Sequence, residues 1–310
     1  TAYKHLVPLF GTDYSVTYKD NKIESTFDVD PVWVEFRDDP AADIIERQAS
    51  YRRVKPTMSN MQLSIQKMDV PKKEPSGLFY ERAFNLTCEY LSFMESEQSM
   101  DYQRFSFIPD TSPGLPWIKV RVKGQRIFRD KKSVINSRYS KLMEFVKGYD
   151  KFPLVDTCNH KDEMLSQEDL DRHKIRTTFG SSLQKLFLET SLFGGQNKKI
   201  LEHTDNWIQY GVVKQYGGFN RMIKKLEKHP FRWESDCSGW DRVTCLEVVY
   251  RIRDRLLKCD KRLFKHVSSF NINPEFISPI DGNIYRRATG VSSGSLNTTT
   301  DNSIKHVFIM

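Results

Sequence analysis

The chain has 310 residues, of which 38% are hydrophobic, and its 20 Phe, 13 Tyr and 5 Trp exclude disorder over most of its length. Lys and Arg number 48 against 40 Asp and Glu, and the resulting net charge of +8 favours a folded protein with local basic surfaces and a polyanionic partner over a basic tail. We find no signal peptide and no apolar run as long as a membrane span, so we expect no membrane segment.

The cysteines are few and widely spaced. There are five, with no C-x-x-C pair, at Cys88, Cys158, Cys237, Cys245 and Cys259. This arrangement predicts reduced thiols in a cytosolic-type compartment and no zinc site. The chain starts at Thr1 and ends at Met310 within a helical pattern, so we expect it to be part of a longer polypeptide.

Apolar residues at helical spacing predict most of the secondary structure. Short strand-like stretches come first, within residues 1–77. Helices are predicted over residues 79–97, 131–148, 181–204, 220–228 and 241–258. Between the first two of them the stretch DTSPGLPW, residues 110–117, is a loop rich in proline and glycine.

The loop DTSPGLPW offers polar groups on a rigid frame. Gly114 and the prolines fix its backbone, while Thr111 and Ser112 supply hydroxyls and backbone amides that suit a phosphate backbone. Considered alone, the loop is better explained as a structural turn.

A basic segment follows it. Lys161 lies in KDEM, and Lys174 and Arg176 lie in HKIRTTFG. If the second stretch is extended, alternation places Lys174 and Arg176 on the same side, where two cations suit a triphosphate. For a K-x-R sequence alone, a solvated charged edge strand is favoured.

Two aspartates bracket a small turn in ESDCSGWDRV. Asp236 follows the strand-like FRW and Asp241 opens the next turn, which is typical of a metal site or of a surface turn whose carboxylates cap a helix. Spacing does not separate these alternatives, because Asp38 and Asp43 share the D-x-x-x-x-D pattern.

The strongest motif is Ser293-Gly294-x-x-x-Thr298-x-x-x-Asn302. A helix that starts near Leu296 puts Thr298 and Asn302, four residues apart, on one face. Gly294 and the small residues before it leave room for a large group to approach the backbone. An ordinary helix N-cap accounts for the same serines and threonines.

In this order the four motifs resemble those of the RNA-dependent RNA polymerases of positive-strand and related RNA viruses. There they form the template-contacting loop, the motif F strand, palm motif A and palm motif B. The resemblance covers residues 108–310, and the S-G-x-x-x-T-x-x-x-N match is complete. DTSPGLPW is similar to the loop of picornavirus-like and partitivirus-like enzymes, and QNKKI and YGGF resemble segments of astrovirus-like polymerases.

The resemblance implies an α+β fold of the right-hand polymerase type, with fingers, a partial palm and no thumb. The implied divisions are an N-terminal extension or fingers part (1–100), fingers (101–230, with the template loop at 110–117 and motif F at 161–180), palm motif A (231–260), a fingers insertion (261–288) and a truncated palm motif B (289–310).

The resemblance also implies a role for each candidate residue. Asp236 would be the first ligand of catalytic Mg²⁺ or Mn²⁺, and Asp241 would be catalytic beside it. The residues that hold the incoming ribonucleotide and read its ribose hydroxyls would be Lys161, Lys174, Arg176, Asp241, Ser293, Gly294, Thr298 and Asn302. The residues that steer the template RNA would be Thr111, Ser112 and Gly114.

The implied function is template-directed nucleotidyl transfer from ribonucleoside triphosphates by a two-metal mechanism, replicating a viral RNA genome. Template RNA, product RNA and other viral replication proteins would be the macromolecular partners. The work would take place in the host cytoplasm or, for a partitivirus-like enzyme, in the virion.

One departure from the family matters. The second metal-binding motif, usually Gly-Asp-Asp, follows motif B in the family, and no such sequence occurs in the chain, so we expect this segment to be inactive alone. Two alternatives stay open: a catalytically inert, polymerase-like RNA-binding or replication-scaffold protein, and a reverse transcriptase. The second is less favoured, because Asp241 and Asn302 put no bulky residue against the ribose 2′-hydroxyl.

Overall fold

The computed structural model describes most of the chain after residue 76 and a few positions before it. The described residues are 25–26, 51–53, 64, 66, 76–99, 108–117, 119–122, 125–128, 130–161, 163–172, 174, 176–203, 208–210, 212, 217–231, 240, 246–277, 284–287 and 290–310. Helices and short strands are mixed along them, which agrees with the predicted α+β class.

The helices and strands are numbered here in chain order. The helices are α1 (Leu78–Tyr90), α2 (Lys131–Lys147), α3 (Gln167–Asp171), α4 (Leu183–Glu202), α5 (Phe219–Glu227), α6 (Glu247–Arg255), α7 (Lys261–Ile272) and α8 (Thr298–Ile309). The strands are β1 (Ser25–Thr26), β2 (Tyr51–Arg53), β3 (Ser96–Glu97), β4 (Lys119–Val122), β5 (Gln125–Phe128), β6 (Asp156–His160), β7 (Met164–Ser166), β8 (Thr177–Gly180), β9 (Leu257–Lys258), β10 (Glu275–Ile277) and β11 (Ile284–Arg286).

Three of the predicted helices are confirmed as α2, α4 and α5, with ends that differ from the prediction by no more than two residues. Local sequence sets these ends. The N-cap of α2 is Asp130, whose carboxylate accepts a hydrogen bond of 2.6 Å from the Ser133 N–H, and its C-cap is Gly148.

Two predicted helices, 79–97 and 241–258, are shorter than expected. They end early because the residues after them pair with each other: β3 lies parallel to β9, with Ser96 opposite Leu257. The chain leaves α1 at Leu91, whose side chain is fully buried. Helical periodicity continues through both segments, but a pairing between distant parts of the chain replaces the helix there.

A four-stranded sheet with the order β11-β10-β6-β8 leads toward the candidate site. Strand β6 is antiparallel to β8, with Cys158 opposite Phe179, and parallel to β10, with Asp156 opposite Phe276. Smaller sheets join β1, β2 and β7, β3 and β9, and β4 and β5. Strand β8 runs almost directly into α4, so the sheet and the main helix meet at one point.

Helix α4 forms the centre of the core. It buries apolar side chains along its whole length, namely Leu183, Leu186, Phe187, Leu188, Leu192, Phe193 and Ile200. It also buries polar ones, namely Gln184, Lys185, Glu189, Ser191 and Gln196. Buried charges need partners, and those partners come from other segments. Neither α4 nor another helix in the described ranges is both long and apolar enough to cross a membrane.

The described cysteines, Cys88, Cys158 and Cys259, are free thiols. Burial raises the pKa of Cys158 on β6 to about 12, so this thiol is protonated near neutral pH and serves as a packing residue in the sheet.

Replacing Trp117 by Phe tests how residues 110–117 are held on α4. The Trp117 indole N–H donates a hydrogen bond of 2.9 Å to Gln184 Oε1, and both side chains are buried. The phenyl ring removes this donor from a buried acceptor, so we expect chemical denaturation to show a loss of about 1–3 kcal/mol in the free energy of unfolding. Tyr139→Phe, at an exposed position of α2, is the control and should cost less than about 0.5 kcal/mol. Equal stabilities of the two variants would contradict this role.

Candidate active site

The turn of the motif B sequence rests on the backbone of β8. Ser293 Oγ accepts a hydrogen bond of 2.8 Å from the Phe179 N–H. A Cβ atom built on Gly294 would lie 2.3 Å from Phe179 O and 2.9 Å from Ser181 N, closer than any side chain tolerates. Glycine is therefore required at position 294. The sequence predicted that a large group approaches the backbone here, and that group is the backbone of β8.

Thr298 ties this turn to the helix that follows. Its hydroxyl lies 2.7 Å from Ser292 O and 2.9 Å from Ser295 O, and either carbonyl accepts its proton. Helix α8 begins at Thr298, two residues later than predicted, and it carries both Thr298 and Asn302 one turn apart. Thr298 is thus bonded within the protein, while its hydroxyl oxygen keeps lone pairs for a further donor.

Helix α8 is anchored by a buried ion pair that the sequence motif does not announce. Arg253 Nε donates to Asp301 Oδ1 at 2.6 Å, Arg253 Nη2 donates to Thr300 Oγ1 at 2.8 Å, and Tyr250 Oη donates to Asp301 Oδ2 at 3.0 Å. Burial raises the pKa values of Asp301 and Tyr250, and the Arg253 cation acts against both shifts. The pair fixes α8 against α6.

The acidic motif lies largely outside the described residues. Asp236 and Asp241 both lie outside the described residues, whereas Trp240 is described and half-buried. Its ring centroid lies 4.3 Å from Lys305 Nζ and 5.9 Å from the ring centroid of His306. The residue before Asp241 therefore packs on α8, beside the motif B sequence.

Two of the three predicted nucleotide-binding cations lie together. The Lys161 N–H donates to Arg176 O at 3.0 Å, which extends the pairing of β6 with β8. Their side chains contact one carboxylate, Glu163: Arg176 Nε lies 2.9 Å from Oε2, and Lys161 Nζ lies 3.8 Å from the same atom. Lys174 contacts a different carboxylate, Asp169 on α3, at 2.5 Å.

These cations are exposed and already paired with acids. Glu163 raises the pKa of the Arg176 guanidinium, and Lys174 lowers the pKa of the Asp169 carboxyl. The side chains of Arg176 and Lys174 are 62% and 54% exposed, so a polyanion can reach them from solvent. The Asp169 side chain is 30% exposed and that of Glu163 is 11% exposed, so the pair of Lys174 with Asp169 is the weaker and more easily exchanged of the two.

The template-loop sequence 110–117 is fastened to the start of α4. Pro113 O accepts a hydrogen bond of 2.8 Å from the Leu183 N–H. Gly114 has a φ of 67°, and a Cβ atom on it would lie 2.6 Å from Ser181 O. Of the three predicted template-contacting residues, Thr111 and Ser112 are exposed and Gly114 is buried.

Three of the four predicted motifs therefore meet on one stretch of backbone, residues 179–182. Gly114 contacts it from the template-loop sequence, and Gly294 contacts it from the motif B turn. The stretch itself ends the basic segment, where a Cβ atom on Gly180 would lie 2.7 Å from Thr157 Oγ1. The local sequence patterns do not predict that these motifs contact one another, so the contact is set by the tertiary fold.

Sequence reasoning missed the charged side chains that are buried among the described residues, which are Asp156, Lys185, Glu189, Arg253, Arg287, Asp301 and Lys305. One signal was available: Lys185 and Glu189 stand four residues apart inside the apolar stretch of α4, where isolated charges are rare. Arg253 offered no comparable signal, since its helix also carries exposed charges.

A comparison with solved structures matches the chain to the Sicinivirus 3Dpol RNA-dependent RNA polymerase, with a TM-score of 0.63 at 11% sequence identity. The match covers 83% of this chain and 57% of the viral polymerase. At this identity the likeness shows the fold, which is that of a right-hand polymerase. The chain spans less than two thirds of the length of the protein it matches.

The sequence also matches the model of the viral RNA-dependent RNA polymerase family over residues 37–310. The chain belongs to this family, which confirms the resemblance seen in its four motifs. A comparison with curated proteins finds no match.

Replacing Gly294 by Ala tests the contact between the motif B turn and β8. Because the added methyl group meets Phe179 O at 2.3 Å, we expect the free energy of unfolding to fall by about 1–3 kcal/mol or more. Gly194→Ala is the matched control: its methyl group would meet only Thr190 Cγ2, at 3.4 Å, and alanine suits the interior of α4 better. Thermal or chemical unfolding measures both, and a neutral Gly294→Ala variant would disprove the contact.

Proposed function

We propose that this chain forms the fingers and the first part of the palm of an RNA-dependent RNA polymerase, which joins ribonucleotides on an RNA template. The observation that carries the proposal is the meeting of the loop 110–117, strand β8 and the turn 292–296 on residues 179–182. Family membership supplies the reaction class.

In this proposal each group of residues has one task. Lys174 and Arg176 hold the triphosphate, which displaces Asp169 and Glu163 from them, and Lys161 lines the path by which the nucleotide enters. Ser293, Thr298 and Asn302, with Asp241, bond the ribose hydroxyls, and Gly294 lets their turn sit against β8. Thr111, Ser112 and Gly114 guide the template strand.

Asp236 is the proposed ligand of Mg²⁺ or Mn²⁺, for which carboxylate oxygen is a suitable donor. When bound, two such ions supply charge neutralisation for an in-line displacement at the α-phosphate. In the described part of the chain, no group of three or more His, Cys, Asp or Glu side chains could hold a metal ion. The protein's own share is to orient the nucleotide and keep the template in place.

The remaining expectations follow the family. We propose RNA replication in the host cytoplasm, with template and product RNA, ribonucleoside triphosphates and other viral replication proteins as partners. Residues 1–100 would be an N-terminal extension or fingers, 101–230 fingers, 231–260 and 289–310 palm, and 261–288 an insertion of the fingers. Because the chain contains no Gly-Asp-Asp, we expect these 310 residues alone not to incorporate nucleotides.

Asp236→Ala in the complete polymerase tests the metal assignment. We expect incorporation of labelled ribonucleotides on an RNA template to fall at least about 100-fold, because the substitution removes a charged group that acts on the reacting phosphate. Asp38→Ala is the matched control, since Asp38 starts the other D-x-x-x-x-D sequence in the chain, and it should keep full activity.

The same assay separates the alternatives. RNA synthesis that survives Asp236→Ala would refute the metal assignment. A wild-type protein that binds RNA with a steep salt dependence and incorporates no nucleotide would be an inert scaffold. Efficient incorporation of deoxyribonucleotides would favour a reverse transcriptase.

Arg176→Ala tests the triphosphate site. We expect the KM for ribonucleoside triphosphates to rise about tenfold, since a charge-assisted contact to phosphate is lost. Arg172→Ala is the control: Arg172 is also 62% exposed and also pairs with a glutamate, but on the outer side of α3. If both variants change KM equally, Arg176 contributes only general positive charge.

A further inference from the structure

Resting on the proposed function, we propose that Glu189 is a positioning residue for nucleotide selection: its buried carboxylate fixes the turn that carries Ser293 and Gly294. Glu189 lies in the middle of α4 and is completely buried. Glu189 lies outside the four polymerase motifs that the sequence contains.

Glu189 holds the turn directly, on the side that follows Gly294. Its Oε2 accepts a hydrogen bond of 2.9 Å from the Leu296 N–H, and its Oε1 accepts one of 2.8 Å from the Ser295 hydroxyl. Oε1 also accepts one of 2.8 Å from Asn271 Nδ2 on α7. One carboxylate thus joins α4, α7 and the turn.

A second carboxylate holds the turn on the side that precedes Ser293. Ser292 Oγ donates to Asp156 Oδ2 at 2.6 Å and accepts from Arg287 Nη2 at 2.8 Å. Asp156 is completely buried at the start of β6. The two residues assigned to nucleotide contact therefore stand between two fixed points.

Lys185 links the two carboxylates. Its Nζ lies 3.3 Å from Asp156 Oδ1, 3.9 Å from Glu189 Oε1 and 3.0 Å from Ser181 Oγ, and the side chain is completely buried. With Arg287, two cations balance two carboxylates. The turn is thus attached to an internally neutral cluster on α4 and β6, next to residues 179–182.

The arrangement favours a role in position over a role in stability. Buried ion pairs contribute little net stability, because the cost of removing charges from water offsets their attraction. Here Glu189 directs most of its acceptor capacity at the turn, with two of its hydrogen bonds going to Ser295 and Leu296. Ser293 is exposed and is itself held by a hydrogen bond from the Phe179 N–H to its Oγ, so the Glu189 contacts fix the other end of the same turn.

Glu189→Gln in the complete polymerase tests the proposal. The amide has the size of the carboxylate, but its N–H₂ group replaces one of the two acceptor oxygens and the negative charge is lost, so one of the donors at this site faces another donor. We expect the KM for ribonucleotides to rise about tenfold and the preference for ribonucleotides over deoxyribonucleotides to fall about tenfold. The kcat at saturating ribonucleotide should stay within about threefold.

Glu202→Gln is the matched control, because Glu202 ends the same helix and its side chain is 63% exposed. It should leave KM and sugar preference unchanged. A Glu189→Gln enzyme with wild-type KM and wild-type sugar preference would overturn the proposal, as would one that loses only kcat. A wild-type enzyme that incorporates no nucleotide would instead overturn the proposed function.

If the Glu189→Gln variant fails to fold, Ser295→Ala tests the same positioning role of Glu189. It removes one bond to Glu189 without leaving a buried charge unpaired, since Asn271, Leu296 and Lys185 still contact the carboxylate. We expect KM and sugar preference to shift about threefold in the same directions. Wild-type values for both in a folded Ser295→Ala enzyme would overturn the proposal.

Discussion

The fold of this chain depends on one tight approach of backbones. Residues 179–182 leave the sheet and enter α4 between two loops that come from 65 residues before and 112 residues after them, counted from Gly114 to Phe179 and from Ser182 to Gly294. Side chains at either glycine would push the loops apart, so the contact admits only hydrogen at both positions. The end of strand β8, the loop and the turn are therefore packed together, and the exposed residues Thr111, Ser112 and Ser293 lie on the loop and the turn.

The interior behind this unit is unusually polar. Helix α4 buries charged groups in the middle of an apolar core, and each of them finds its partner on a segment remote in the sequence. Such a core gives up some of the stability that apolar packing would provide. Such a core can adopt few alternative packing arrangements, because a shift of one segment by one residue would leave buried charges without partners. The geometry of the turn formed by residues 292–296 is then a consequence of the core.

The sequence predicted those structural features that depend on residues close together in the chain. Apolar spacing located α2, α4 and α5, and Asp130 and Gly148 set the ends of α2 as capping rules require. Motif order gave the family. The pairing of β3 with β9 was not predicted, because the two strands lie about 160 residues apart in the sequence and hydrophobic periodicity reports only on local structure. The ion pair between Arg253 and Asp301 was not predicted for the same reason. Gly294 predicted that another group lies close to its backbone, but not that this group is β8.

The remote pairing has a consequence for synthesis of the protein. Asp156 and Ser292 are 136 residues apart in sequence. At the usual pace of translation, the ribosome needs on the order of ten seconds to make the chain between them. During that interval Lys185 is the partner available to Asp156, and the polar side of α4 has no turn to cover it. The core of the nascent chain thus stays incomplete until residue 292 has been made, so this part of the core closes late in synthesis.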